Sequence, residues 1–188
     1  MNEVQFMKKA IAIIEYKTVS SGIKAADIMA KTADIDFIES QPVCPGKYMM
    51  VIAGLLSAVN AAVESAKTTC GEKHISSFIL GNPHESLLSA VYGATKVEKI
   101  HALGIFETFD AATAVMAADT AVKTAMVELI EIRLAKGMCG KSFVTLTGEI
   151  SAVEAAITRA TAFAGEAGML LDSCVIANPD DKLEKFIL

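Results

Sequence analysis

A chain of 188 residues, 53% hydrophobic and 21% charged, is long enough to bury roughly 70% of its unfolded surface and too apolar to remain disordered. Its 17 Lys and Arg against 22 Asp and Glu leave a formal charge of -5, with no basic run longer than Lys8-Lys9, which excludes the electrostatic footprint of a nucleic-acid binder. The weakly polar stretch from Tyr48 to Val59 falls short of the ~20 residues that span a bilayer, and the run from Ala10 to Ile14 is too short for a signal-peptide core.

The expectation is a cytoplasmic protein with no membrane partner, in which Cys44, Cys70, Cys139 and Cys174 are thiols or metal ligands rather than disulfides. The apolar content exceeds what a lone soluble domain needs. That surplus points to buried subunit contacts.

In chain order, Ala10 to Tyr16 is an apolar run suited to a buried strand, and Ser20 or Ser21 can cap a helix reaching about Ala33, with Ile23, Ala26 and Ala30 on its inner stripe. Ile35 to Ser40 alternates as a strand does, Pro42, Pro45 and Gly46 mark a turn, and Tyr48 to Ala53 is a second β-rich run. Leu56, Val59, Val63 and Ala66 recur at helical spacing, and Ser76 to Leu80 closes the unit before Asn82-Pro83.

The order then repeats at a constant spacing. Ile14-Glu15 recurs as Phe106-Glu107, Ala25-Ala26-Asp27 as Ala117-Ala118-Asp119, Lys31-Thr32-Ala33 as Lys123-Thr124-Ala125, and Ile38-Glu39 as Ile130-Glu131. After a two-residue shift, Gly46-Lys47 matches Gly140-Lys141, Gly54 matches Gly148 and Ser57-Ala58-Val59 matches Ser151-Ala152-Val153; a second such shift aligns Asn82-Pro83 with Asn178-Pro179. In the second copy Ser151 and Glu154 have the spacing of a capping box ahead of Val153, Ala156, Ile157 and Ala160. The chain therefore reads as α+β: two tandem ferredoxin-like β-α-β-β-α-β domains, 1-95 and 96-188, joined near residues 90 to 101, each an antiparallel sheet with helices on one face. Two copies in one chain form a pseudo-dimer, so three chains can close a pseudohexameric ring, and a homotrimer is the expected assembly.

Chemistry-bearing motifs are few. Neither G-x-G-x-x-G nor a P-loop occurs, the cysteines form no C-x-x-C chelate, and no Ser-His-Asp or Cys-His arrangement is recognisable, so the chain is not expected to be an enzyme. Cys70 and Cys174 read as small core residues, Met49-Met50 as part of a buried strand, and His74 and His101 as loop residues. His84 reads as an edge contact or a solvated turn. Glu15 and Glu107 recur equivalently, which favours a structural role over acid-base catalysis.

Ala25-Ala26-Asp27 with Lys31, its copy Ala117-Ala118-Asp119 with Lys123, the strand-ending Gly54 and Gly148, and Asn82-Pro83-His84 together resemble the bacterial microcompartment (BMC) shell proteins of the tandem-domain trimeric type. The resemblance runs twice along nearly the whole chain, in unpermuted order. It implies a shell protein that tiles with other shell proteins into facets, with Lys31, Lys123, Asn82, Pro83 and His84 at the edges where disks meet. It also implies that the second-to-third-strand loops, Gln41 to Lys47 and Arg133 to Lys141, line a central pore.

Cys44-Pro45-Gly46-Lys47 followed by an aromatic is similar to the pore loop of the iron-sulfur type of these proteins in propanediol-utilisation compartments. This implies a [4Fe-4S] cluster on the threefold axis, one per trimer, ligated by Cys44 of each chain and exchanging electrons with encapsulated redox enzymes. One thiol becomes three by rotation, and thiolates are the ligands such clusters take. Pro45 would stiffen the turn, Gly46 offer its N-H to the cluster, and Lys47 moderate the accumulated negative charge. In the second loop, Gly137-Met138-Cys139-Gly140, Cys139 departs from the pattern. It is a supplementary thiol ring, a replacement for Cys44 or an inert pore-side thiol, and the inert reading is the expectation. Alternatives to the redox shell protein are a metal-free metabolite pore, a small-molecule-sensing regulatory module and, more distantly, a thiol enzyme.

Overall fold

The computed structural model describes residues 10–188; the Lys8-Lys9 pair lies outside the described residues. Strand β1 (Ala10–Tyr16) leads through α1 (Val19–Thr32) to β2 (Ile35–Val43) and β3 (Lys47–Gly54), then through α2 (Leu56–Cys70) and a 3-10 turn to β4 (His74–Leu80). Short helix α3 (Ser86–Val91) precedes the repeat: β5 (Ala102–Thr108), α4 (Ala111–Thr124), β6 (Val127–Arg133), β7 (Ser142–Gly148), α5 (Ile150–Glu166) and β8 (Leu170–Ile176), followed by α6 (Asp181–Ile187). The sheets have the orders β2-β3-β1-β4 and β6-β7-β5-β8, and their neighbouring strands are antiparallel. This is the tandem β-α-β-β-α-β fold that the repeat implies.

Two compact units divide between Pro83 and His84, earlier than the 95/96 boundary drawn from the sequence. Residues 84–101 are grouped with the second unit because α3 packs on β6 and Thr95 donates its hydroxyl to the Ile130 carbonyl at 3.0 Å. The region read as a linker near 90 to 101 thus overlaps the end of a helix and a segment fastened to the second sheet.

In the first unit the even-numbered residues of β1, Ala10, Ala12, Ile14 and Tyr16, meet Tyr48, Met50 and Ile52 of β3 and the inner faces of α1 and α2 in one apolar cluster. Each large apolar side chain so enclosed contributes about 1.5–3 kcal/mol by leaving water. Met49 and Met50 are fully buried in β3, as the sequence indicates.

Several local expectations are corrected. Thr18, rather than Ser20 or Ser21, caps α1; its backbone is extended and its side chain accepts the Ser21 N-H. The buried stripe of α1 is Gly22, Ala25 and Met29, while Ile23 is 54% exposed, because the helix presents its smallest residue to the Tyr48 ring. The capping box does not form. Glu149 occupies the cap position of α5 without a side-chain cap bond, which leaves Ser151 inside the first turn. Val153, Ala156, Ile157 and Ala160 are nonetheless the buried stripe of that helix, whereas Leu56 is exposed at the start of α2. Pro42 belongs to edge strand β2, opposite Tyr48, a place where a missing N-H donor is tolerated. Cys174 is exposed on β8 and only Cys70 is a core thiol.

His74 opens β4 instead of lying in a loop, and its ring meets Tyr16 edge-on at 5.6 Å. Burial, followed by the nearby Lys67 ammonium, holds its imidazole below the ordinary range. Burial, with the Cys70 thiol adding to it, pushes Tyr16 up to about 12, and among the described residues its hydroxyl has no hydrogen-bond partner. A phenol whose folded value lies above its unfolded value of 10.0 contributes stability that is complete below pH 10 and lost as pH rises to about 12. Tyr16→Phe removes both the titration and an unsatisfied hydroxyl. It should match or exceed the wild type in stability at neutral pH and unfold at a higher alkaline midpoint, as read by circular dichroism across a pH series.

Candidate functional site

The β2-β3 hairpin carries the Cys44 turn. Val43 pairs with Lys47 across its base, and Cys44, Pro45 and Gly46 make the turn, with a cis Cys44-Pro45 bond and Gly46 at φ +98°. Glycine supplies that left-handed conformation without a Cβ penalty. Cys44 is half-buried and free of any disulfide.

Both residues expected to support this loop have partners within the chain. The Gly46 N-H donates to the Val43 carbonyl at 2.9 Å and closes the turn. The Lys47 ammonium lies 2.8 Å from Glu15 Oε2, and the Glu15 side chain is 2% exposed. Its charge therefore neutralises a buried carboxylate within the sheet. Glu15 and Lys47 are far apart in sequence, and local spacing gave no sign of the pair. The register did: Glu15 faces Met49 across β1 and β3, which puts Lys47 on the same face at the diagonal position.

The corresponding β6-β7 loop is longer. Leu134 and Ala135 are buried at its start, and Ala135 donates its N-H to Ser142 Oγ at 3.1 Å. Gly137 (φ +70°), Cys139 (φ +55°) and Gly140 (φ +90°) take left-handed conformations, while Lys141 donates its N-H to the Met138 carbonyl at 3.1 Å. Cys139 is exposed. Arg133, at the end of β6, pairs with Glu131 at 2.7 Å and stacks over Phe143 with 5.2 Å to the ring centroid.

Thiolate is the donor that iron-sulfur clusters take, so the Cys44 turn fits as a source of one ligand. Among the described residues no group of three or more His, Cys, Asp or Glu side chains is placed to hold a metal ion.

The edge residues form two related constellations. Lys31 pairs with Asp27 at 2.6 Å, both well exposed. Lys123 pairs with Asp119, also at 2.6 Å, and that carboxylate is 7% exposed. Asp119 Oδ1 additionally accepts the His84 backbone N-H at 2.8 Å, and the His84 ring bonds Ser86 Oγ at 2.8 Å. Asn82 takes a left-handed turn at φ +57° ahead of Pro83. The structure thus gathers His84, Asp119 and Lys123 at one corner of the second unit. The i,i+4 Asp-Lys spacing was a readable signal for both ion pairs.

Among the described residues no helix is long and apolar enough to cross a membrane. The model of the BMC domain matches residues 10–83 and again 102–179. The bacterial microcompartment shell protein PduT of Citrobacter freundii is 36% identical over 177 residues, covering 94% of this chain and 96% of that protein. The carboxysome shell protein CcmK2 of Thermosynechococcus vestitus is 31% identical over 85 residues, covering 43% of this chain and 83% of its own length. The crystal structure of a microcompartment protein from Desulfitobacterium hafniense superposes with a TM-score of 0.89 at 45% identity, covering 94% of this chain and 98% of that one. With both repeats matched, the chain belongs to the BMC-domain family, as a tandem-domain, non-enzymatic structural shell protein of a bacterial microcompartment.

Proposed function

We propose that three copies of this chain close a pseudohexameric disk, and that Cys44 of each copy supplies one thiolate to a shared [4Fe-4S] cluster at its centre. The observation that carries this reading is a half-buried free thiol at a hairpin turn in a chain whose described residues hold no metal-binding group of their own. Bound there, the cluster would supply one-electron exchange across the shell, at a potential set by its burial and by hydrogen bonds to its sulfurs. Encapsulated redox enzymes would be its partners on one side. The chain's own task is to hold Cys44 at a fixed position, which the Gly46-Val43 bond and the Lys47-Glu15 pair accomplish.

A metal-free metabolite pore is the second reading. It is favoured by the commitment of both the Gly46 N-H and the Lys47 ammonium to partners within the chain. Anaerobic reconstitution separates the two. The cluster reading expects iron and acid-labile sulfide at one cluster per three chains, lost in Cys44→Ser and retained in Cys139→Ser, with a matching paramagnetic signal after reduction. Iron that fails to bind the wild type overturns it in favour of the pore, and iron that survives Cys44→Ser overturns Cys44 as the ligand.

Tiling is a separate property. We assign Lys31 and Lys123 to contacts between neighbouring disks, for which their exposure leaves room. Lys31→Asp places a second carboxylate beside Asp27. It should abolish extended sheets in electron micrographs; sheets indistinguishable from wild type would refute the edge role.

A further inference from the structure

The repeat makes the chain its own template for an interface. In the second unit, the segment that follows the first repeat is strapped over β6: α3 packs on that strand, Leu87 and Ala90 are fully buried, and Leu129 and Ile130 of β6 are 2% and 3% exposed. The strap begins where the His84 N-H meets Asp119.

Aligning Asn82-Pro83 with Asn178-Pro179 carries His84 onto Asp180, Leu87 onto Leu183 and Ala90 onto Phe186. The helical segment is also repeated, as α6 in place of α3. Burial is not. Leu183 is 40% exposed and Phe186 87% exposed. Glu184, by contrast, accepts the Ile100 N-H at 3.0 Å, and Ile187 packs against the Ile100, Leu103 and Ile130 cluster. The Glu184 and Ile187 side of α6 is thus anchored to its own unit, while the adjacent side, carrying Leu183 and Phe186, is open to solvent.

The complementary surface is on the first unit. Phe37, the counterpart of buried Leu129, is 38% exposed, and Asp27, the counterpart of Asp119, has a side chain that is 58% exposed. A groove lined by Lys31, Ala33, Ile35 and Phe37 marks this corner. Its repeat in the second unit is lined by Lys123, Ala125 and Val127, with His84 of the strap among them.

We propose that residues 180–188 of one copy strap the α1-β2 corner of a second copy's first unit, Leu183 and Phe186 covering Phe37 and the Asp180 N-H donating to Asp27. The His84 contact is made by backbone, so an Asp at the repeated position preserves the donor. Such a contact is head-to-tail and closes when the rotation per copy allows a ring. The inference rests on the threefold assembly proposed above and names the segment that holds it together.

The test uses the full chain. With p-benzoylphenylalanine in place of Phe186, irradiation should give adducts that run at multiples of the chain mass, and peptide mapping should join position 186 to residues 27–38. The double variant Leu183→Asp, Phe186→Asp should associate about 100-fold more weakly or worse and run as single chains in native mass spectrometry with a wild-type circular dichroism spectrum. Phe186→Leu should stay assembled. Adducts confined to one chain or mapped to another surface, or a double variant that keeps its wild-type mass, overturn the strap and leave the trimer standing. A wild-type chain that is itself a single copy overturns both.

Discussion

Lys47→Met should destabilise the first unit by about 3 kcal/mol, measured by urea unfolding at neutral pH. Glu15 sits in central strand β1 with its side chain 2% exposed, and the Lys47 ammonium 2.8 Å away balances its charge. Removing one partner of a buried pair leaves an uncompensated charge, at a cost of about 3–5 kcal/mol. The low end applies because Lys47 is 25% exposed and water already shares its solvation. Among the described residues the second carboxylate oxygen, Oε1, has no hydrogen-bond partner, so no other group takes over when the ammonium goes. Adding Glu15→Leu to Lys47→Met should restore most of the loss, since an apolar pair on that face avoids the desolvation penalty. A single variant as stable as wild type would show that the pair does not hold the base of the Cys44 hairpin.

Gly22→Val should cost a comparable amount, about 3 kcal/mol or more. A Cβ built at Gly22 would lie 2.4 Å from both Cβ and Cδ1 of Tyr48, well inside contact distance. Tyr48 has little room to yield: it is 8% exposed, its hydroxyl bonds Ser40 Oγ at 3.0 Å, and it stands opposite Tyr16 in the sheet. Overpacking of a filled core costs about 1–3 kcal/mol and sometimes more. Valine exceeds the smallest intrusion by two methyl groups and is β-branched in a helix besides. Gly22→Ala should cost less, because a gain of about 1 kcal/mol in helix propensity offsets part of the clash. Chemical denaturation of the three proteins gives the order wild type, Ala, Val; a valine variant more stable than wild type would mean that α1 does not pack on Tyr48 as described.

The duplication was legible because it is written in residues that do the same local work twice. Ala25-Ala26-Asp27 with Lys31 and Ala117-Ala118-Asp119 with Lys123 each place an i,i+4 ion pair on a helix. The strands were legible as well, since the central strand Ala10–Tyr16, buried at every position, is apolar apart from Glu15. What escaped were features decided by distant contacts. The inner stripe of α1 fell on Gly22, Ala25 and Met29 because Tyr48 demands a residue without a side chain, and hydropathy ranks Ile23 above glycine. Ser151 and Glu154 have the spacing of a capping box, yet the chain entering α5 becomes extended at Glu149, two residues earlier.

At the candidate site the sequence marked the cysteine and the turn, through Pro45 and Gly46. It did not reveal that Gly46 and Lys47 are engaged inside the chain, because Val43 and Glu15 become their partners only when the hairpin and the β1-β3 ladder have formed. The exposed Leu183 and Phe186 were equally hidden. In isolation α6 is an ordinary short amphipathic helix, and its open side acquires meaning only beside the buried Leu87 and Ala90 of its counterpart.

The separation of the three Cys44 sulfurs in an anaerobically determined structure of the assembled protein tests the central claim most directly. A shared cluster requires three Sγ atoms facing one another around the threefold axis, close enough to bind it together. Sulfurs distributed around the rim of the disk, each distant from the axis, would contradict it.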